Sequence, residues 1–455
     1  MNMARTKSEF TNKLIRLVIP ITLQQIMLAL VSITDAVMLG VLNQDSLSAV
    51  SLAGQVTFVF NLFVYAIGAG VSIFAAQYWG IDDRVSVEKI LGIGMKLSVI
   101  VSLPFTFISL FFPRVFMHCF ASDETLIAYG AEYLRYVALS FLLTSISQIY
   151  LSVMKNCGFA AKSSIISSAS VIANIIFNAL LIFGLCGFPK MGIAGAAVAT
   201  VISKVVELVW TLTVMFRSCA IKIRFKYIFH SDETLRHDYY KYTLPILGNQ
   251  LAWGLGFTMY TVILGHMGSN AAAANSIANI VKNLVICACT GVASASGVIV
   301  GAELGQGNLD RAKEYGSKLC RISLISGIAS GAVILCVIPF VHLFGSLTDT
   351  AREYLRVMLV VCSYYVIGKA MNMTVISGIF AAGGDSKFGF KCDSITMWCV
   401  TVPIGLIAAF VLKLPVIAVY IVINIDEIIK LPAVYKHYKK YVWLKKLTRE
   451  QESNA

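Results

Sequence analysis

The sequence predicts an all-α membrane protein of twelve transmembrane helices, built as two six-helix bundles related by a pseudo-two-fold axis along the membrane normal. Three observations predict it: composition, the length of the apolar runs and an internal repeat. Of 455 residues, 58% are hydrophobic and 13% charged. A water-soluble chain of that composition would expose more apolar surface than water tolerates. Apolar runs fall near 14–39, 47–75, 90–112, 126–152, 164–186, 192–216, 243–266, 271–302, 318–344, 354–381, 394–412 and 414–435. Each is close to the ~20 residues a helix needs to span a bilayer, and none alternates strictly as a barrel strand would. The repeat joins LVIPITLQQ (17–25) to YTLPILGNQ (242–250), so Pro20 answers Pro245 and Gln25 answers Gln250. Asp83 then answers Asp310, Pro113 answers Pro339, Asp123 answers Asp349, and EYLR recurs at 132–135 and 353–356.

The first run follows positive charge, yet no small-residue cleavage site succeeds it, so it reads as a retained span. Runs one to six form an N-terminal lobe, 1–216. The charged stretch 217–242 is a linker in which Ser231 or Asp232 suits a helix cap. Runs seven to twelve form a C-terminal lobe, 243–435, and 436–455 is a basic tail. Because each copy holds an even number of spans, both start on the same side, which sets the axis along the membrane normal. Roughly 27 Lys and Arg occupy the termini and even-numbered loops against roughly 6 in the others, which puts both termini in the cytoplasm of a multi-pass cell-membrane protein. The net charge of +13 is explained by that topology and by anionic lipid at the inner leaflet, and nucleic acid is not an expected partner. In the tail, Tyr441 and Trp443 are expected as interfacial anchors. The cysteines, with Cys287 and Cys289 the only close pair, read as small buried hydrophobes, with neither zinc nor disulfides.

Polar residues at one depth carry the chemistry. Asp35 lies about seven residues before the turn at Leu42 and Asn43, on the order of 10 Å below it at the helical rise. Asn174 and Asn178 sit one turn apart on the fifth run, and Thr200 lies at a similar depth on the sixth. A carboxylate, two amides and a hydroxyl are hard oxygen donors suited to Na⁺, and the carboxylate alone takes a proton. Interhelical hydrogen bonding explains each amide or hydroxyl singly about as well; the shared depth favours a site.

TDAVMLG (34–40), AQYWG (76–80), NIIFNALLIFG (174–184), MGIAGAAVAT (191–200) and GGDSKF (383–388), in this order and spacing, resemble the multidrug and toxic compound extrusion (MATE) family over essentially the whole chain. The resemblance implies two six-helix lobes and export of amphipathic, commonly cationic compounds in exchange for Na⁺ or H⁺, with Asp35, Asn174 and Asn178 as the coupling site. Many relatives carry Asp where this chain has Asn178, and some place a coupling carboxylate on the tenth helix, where this chain has Lys369. Tyr260, opposite Asp35 in the repeat, is no carboxylate either. Coupling is therefore expected in the N-terminal lobe alone.

The inward faces offer Gln24, Gln25, Met27, Phe58, Asn61, Tyr65, Asn249, Met259 and Tyr260 to a substrate, since aromatic rings and thioethers suit amphipathic cations. Ordinary helix packing explains each of these singly. Pro20 and Pro245 remove a backbone hydrogen bond and permit a bend, which makes them hinge candidates. Lys204 with Glu207, and Lys430 with Asp426 and Glu427, sit at ion-pair spacing. Lys369 either pairs with Asp393 or stands neutral in an apolar pocket. Lys282 either repels cations or pairs elsewhere, and Glu303 reads as a helix-end charge. An enzyme is not expected, because no H-E-x-x-H or comparable constellation occurs. Transport by a monomer with no cofactor beyond the coupling ion is the reading; export of a lipid-linked or polar metabolite in the same architecture is the alternative.

Overall fold

In the computed structural model, which describes residues 2–42, 44–120, 123–218, 221–230, 232–343 and 347–449, the apolar runs are helical and no strand occurs among the described residues. Nine helical stretches among them are long and apolar enough to cross a membrane. One of these, Glu124–Phe183, runs for 60 residues, about three bilayer cores if straight. It is not straight. Cys157 (φ −101°, ψ 25°) and Gly158 (φ 84°) leave helical geometry, and the Ser163 hydroxyl donates to the Leu151 carbonyl at 3.2 Å. A straight helix would hold those two residues about 18 Å apart, so the chain doubles back there, at a φ that only glycine adopts without strain. The stretch is two spans.

Two expected spans lie outside the nine. Glu233–His266 begins with a charged turn before its apolar part and contains Pro245. The twelfth run is two helices, Val416–Ile423 and Asp426–Tyr438. They part at Asn424, whose φ of −102° ends the first and whose amide donates to the Tyr420 carbonyl at 2.9 Å. A short polar side chain competing for backbone groups is a recognised cause of such breaks. With these, the described helices are consistent with the twelve expected runs.

Helix starts are capped by the residue types that favour caps. Asp83 accepts from the Ser86 amide at 3.0 Å, Asp123 from the Thr125 and Leu126 amides, and Thr348 from the Ala351 amide. Asp232 takes the linker cap through the amides of Thr234 and Leu235 at 3.1 and 3.2 Å. Ser231 and Asn43 lie outside the described residues. The third and fourth helices meet through small polar residues: Ser145 donates to Ser102 at 3.2 Å and Ser98 to the Ser145 carbonyl at 3.3 Å, the hydroxyl pairing that holds helices together where no hydrophobic force separates helix from lipid.

The chain groups into two compact units. One comprises Leu23–Ala75 and Asp82–Tyr240, the other Met1–Thr22, Ala76–Ile81 and Lys241–Ala455. The first helix, Asn2–Leu42, is continuous across Pro20 yet changes unit just after it. Up to Thr22 it packs on Gly291, which leaves no room for a Cβ; from Gln24 onward its polar side chains bond within the other unit.

The tail corrects one expectation. Trp443 is fully buried and is no interfacial anchor: its indole lies over Gly316, its backbone over Gly383, and its ring stacks on Tyr438 at 5.5 Å. Two glycines create a slot that a larger side chain would fill. Gln77, from the AQYWG turn, closes it by donating to the carbonyls of Ala382 (2.7 Å) and Lys445 (3.3 Å) and accepting from the Leu447 amide (2.7 Å). Trp443→Ala is expected to cost about 3–5 kcal/mol, read as a lowered thermal midpoint in detergent; an unchanged midpoint would show the tail to be passive.

Candidate functional site

The four polar residues singled out by depth form one line of hydrogen bonds. Asp35 accepts from the Asn178 amide at 2.6 Å, and the same nitrogen donates to Asn174 Oδ1 at 3.1 Å. Asn174 in turn donates to the Thr200 hydroxyl at 3.4 Å, which donates to the Ala196 carbonyl at 3.0 Å. Asn174 and Asn178 are 4% and 1% exposed; Asp35 and Thr200 are half-buried. Asn178 Oδ1 is buried without a hydrogen-bond partner among the described residues.

Local sequence builds this line. Asn174 and Asn178 stand one turn apart on Ala160–Phe183, so both project on one face. Gly184 ends that helix at φ 73°, and the Met191 amide returns to the Leu181 carbonyl at 2.8 Å. Gly195 then sits against the Leu181 carbonyl with no space for a side chain. The glycine and alanines of MGIAGAAVAT thereby bring Ile193–Ser218 close enough for Thr200 to meet Asn174. Tyr133 completes the cluster and was not among the candidates: it lies beside Thr200 and Asp35 and packs on Leu39, Ile182 and Ala196. Its trace in the sequence is the duplicated EYLR, which carries Tyr133 at its second position.

The nine proposed substrate-facing residues divide between the two units. Gln24 is 1% exposed, donates to Ser167 at 2.9 Å and accepts from Ser164 at 3.5 Å. Gln25, Met27 and Phe58 are half-buried, and Asn61 and Tyr65 exposed. In the other unit Asn249 and Met259 are half-buried, whereas Tyr260 lies in the core with Ile263 and Met397. Pro20 and Pro245 are half-buried inside continuous helices.

Several of the buried charges pair. Lys204 meets Glu207 at 3.1 Å, and Glu207 also accepts from Ser147 and Gln148 at 2.6 and 3.0 Å. Lys430 meets Asp393 at 2.8 Å, Glu427 at 3.1 Å and Asp426 at 3.7 Å. Lys369 pairs with Glu427 at 3.0 Å, neither with Asp393 nor in an apolar pocket. The break at Asn424 and the bare Cα of Gly368 let the Glu427 backbone approach, and Asn372 donates to both its carbonyl and its carboxylate at 2.7 Å. Asp393 is left to Lys430. Glu303 accepts from Asn308 at 3.2 Å near the end of Ser269–Gly305.

Comparison with known proteins matches residues 20–180 and 245–407 to the MatE family model. The two segments open on Pro20 and Pro245, the residues that open the repeat, and together span most of the chain. The chain belongs to the MatE family. Among curated relatives, the probable multidrug resistance protein YoeA of Bacillus subtilis (strain 168) is 25% identical over 422 residues, covering 89% of this chain and 88% of YoeA. The probable multidrug resistance protein NorM of Thermotoga maritima is 22% identical over 450 residues, covering 97% and 96%. Among solved structures, the outward-facing conformation of a multidrug resistance MATE family transporter of the MOP superfamily superposes with a TM-score of 0.86 at 19% identity, covering 94% of this chain and 95% of that one. MatE is a transporter family, and this MatE chain has its all-helical, multi-pass membrane fold.

Proposed function

We propose that this MatE chain is a secondary active exporter of amphipathic small molecules, cationic ones included, driven by H⁺ or Na⁺ bound at Asp35, with both termini in the cytoplasm. The observation that carries the reading is the line Asp35–Asn178–Asn174–Thr200. A carboxylate within a spanning bundle costs several kcal/mol unless it is neutralised or paired, and its only direct partner among those hydrogen bonds is a neutral amide. The multidrug-resistance names of YoeA and NorM support the choice of cargo.

The Asn178 amide supplies a switch. As a carboxylate, Asp35 accepts from Asn178 Nδ2. As an acid it carries a donor, and a half-turn of the amide would present Oδ1, the atom now without a partner. That turn also breaks the bond to Asn174 and so releases the line to Thr200. Na⁺ would use the same two oxygens, of Asp35 and Asn178, as hard donors. Neutralisation then lets the first helix bend near Pro20, and access alternates from one side of the membrane to the other.

Proteoliposomes loaded with a dye-like cation test this under a pH gradient or a sodium gradient, each alone. One of the two is expected to accelerate efflux several-fold over passive leak. Equal rates with either gradient and with none would reject ion-driven export.

A further inference from the structure

Among the described residues two lysines are buried, Lys430 at 3% and Lys282 at 5% exposure. Lys430 is surrounded by three carboxylates. Lys282 has none within ion-pairing distance. Its ammonium instead faces rings, 4.9 Å from the centroid of Tyr365 and 5.6 Å from that of Phe257. Phe257 stacks on Trp253 one turn earlier at 5.7 Å and 17°, and Lys369 lies 5.0 Å over Trp253. Two ammonium groups thus flank one stacked aromatic pair. The charge on Lys369 is matched by Glu427, and the nearest further carboxylates, Asp426 and Glu427, act on Lys282 electrostatically while bonded to Lys430 or Lys369.

Burying an ammonium with no carboxylate in contact is unfavourable, and the two ring contacts offset that only in part. The deficit is of the kind an anionic ligand removes. We propose that Lys282, framed by Tyr365, Phe257 and Trp253, is the anion-recognising group of a binding site for aromatic carboxylates. The carboxylate takes a charge-assisted hydrogen bond from the ammonium, and the ring lies against the half-buried Trp253–Phe257 pair, whose faces prefer offset or edge-on aromatic partners. A cation at the same place meets the Lys282 ammonium and is disfavoured, Lys369 being already matched by Glu427. The site lies wholly in the unit carrying the C-terminal repeat, apart from Asp35, and extends the proposed cargo from cations to anions.

The test uses the full chain in detergent without any ion gradient, so it stands or falls separately from coupling at Asp35. Equilibrium dialysis compares 2-naphthoate, neutral 2-naphthamide and cationic 2-naphthylmethylammonium, which share one ring. Naphthoate is expected to bind roughly tenfold tighter than the amide, since only the carboxylate brings a charge opposite to that of the ammonium, and the ammonium compound weakest. Lys282→Met removes the preference of acid over amide; Lys282→Arg retains it. Equal affinity for acid and amide in the unaltered protein, or an undiminished preference in Lys282→Met, overturns the proposal. Should Lys282→Met not fold, the acid-to-amide ratio of the unaltered protein and of Lys282→Arg decides it.

Discussion

Asp35→Asn is expected to reduce ion-driven efflux to passive leak while the protein stays folded. Asparagine matches aspartate in shape, and its Oδ1 can still accept from Asn178, whose donor now sits 2.6 Å from the carboxylate. What disappears is the ability to bind a proton and the formal charge that attracts Na⁺. Removing a charge from a bundle interior relieves desolvation, so stability should not fall by more than about 1 kcal/mol. The informative measurement pairs efflux in proteoliposomes with the thermal midpoint in detergent. Asp35→Glu sharpens it: a titratable group remains, displaced by one methylene, so coupled transport should be weakened and not lost. If Asp35→Asn still responded to an imposed gradient, the hydrogen-bonded line would be interhelical glue, and coupling would have to reside elsewhere.

What was legible in the sequence follows from how local each determinant is. Pro20 and Pro245 announce the repeat because matched prolines in matched apolar frames survive as plain text. Asp35, Asn174, Asn178 and Thr200 could be brought together because helical rise fixes depth, and depth was enough to place four residues on three helices. Rotation about a helix axis is less visible. Gln24 is expected to face a substrate from the inward face of its helix, yet it bonds Ser167 inside its own unit. Tyr133 was missed because its hydrophobic ring looks like packing; only the geometry of the neighbouring helix shows its hydroxyl at Thr200. The partner of Lys369 depended on the break at Asn424, and an apolar run with one asparagine in it does not declare a break. Trp443 illustrates the same limit, since aromatic and basic residues near a chain end suit a membrane interface, whereas the slot that holds it is made by Gly316 and Gly383, distant in sequence.

Glu427→Gln should be the most destabilising polar substitution in the unit that carries the C-terminal repeat. Glu427 is 1% exposed and joins Lys369, Lys430 and Asn372. Glutamine keeps the size and an acceptor for Asn372 but leaves Lys369 without its carboxylate. Lys430 retains Asp393 and Asp426, so the loss falls mainly on Lys369, whose side chain is 14% exposed. Breaking a buried pair from one side costs about 3–5 kcal/mol, whereas replacing both partners by neutral groups is often close to neutral. The double variant Glu427→Gln with Lys369→Met should accordingly recover most of the stability lost by Glu427→Gln alone. A double-mutant cycle on thermal or denaturant unfolding in detergent measures that coupling. Additive losses would mean that Lys369 and Glu427 do not act as a unit. A strong coupling, alongside unchanged ion dependence of transport in the double variant, would assign this charge network to holding the broken twelfth span in place and leave ion coupling to Asp35.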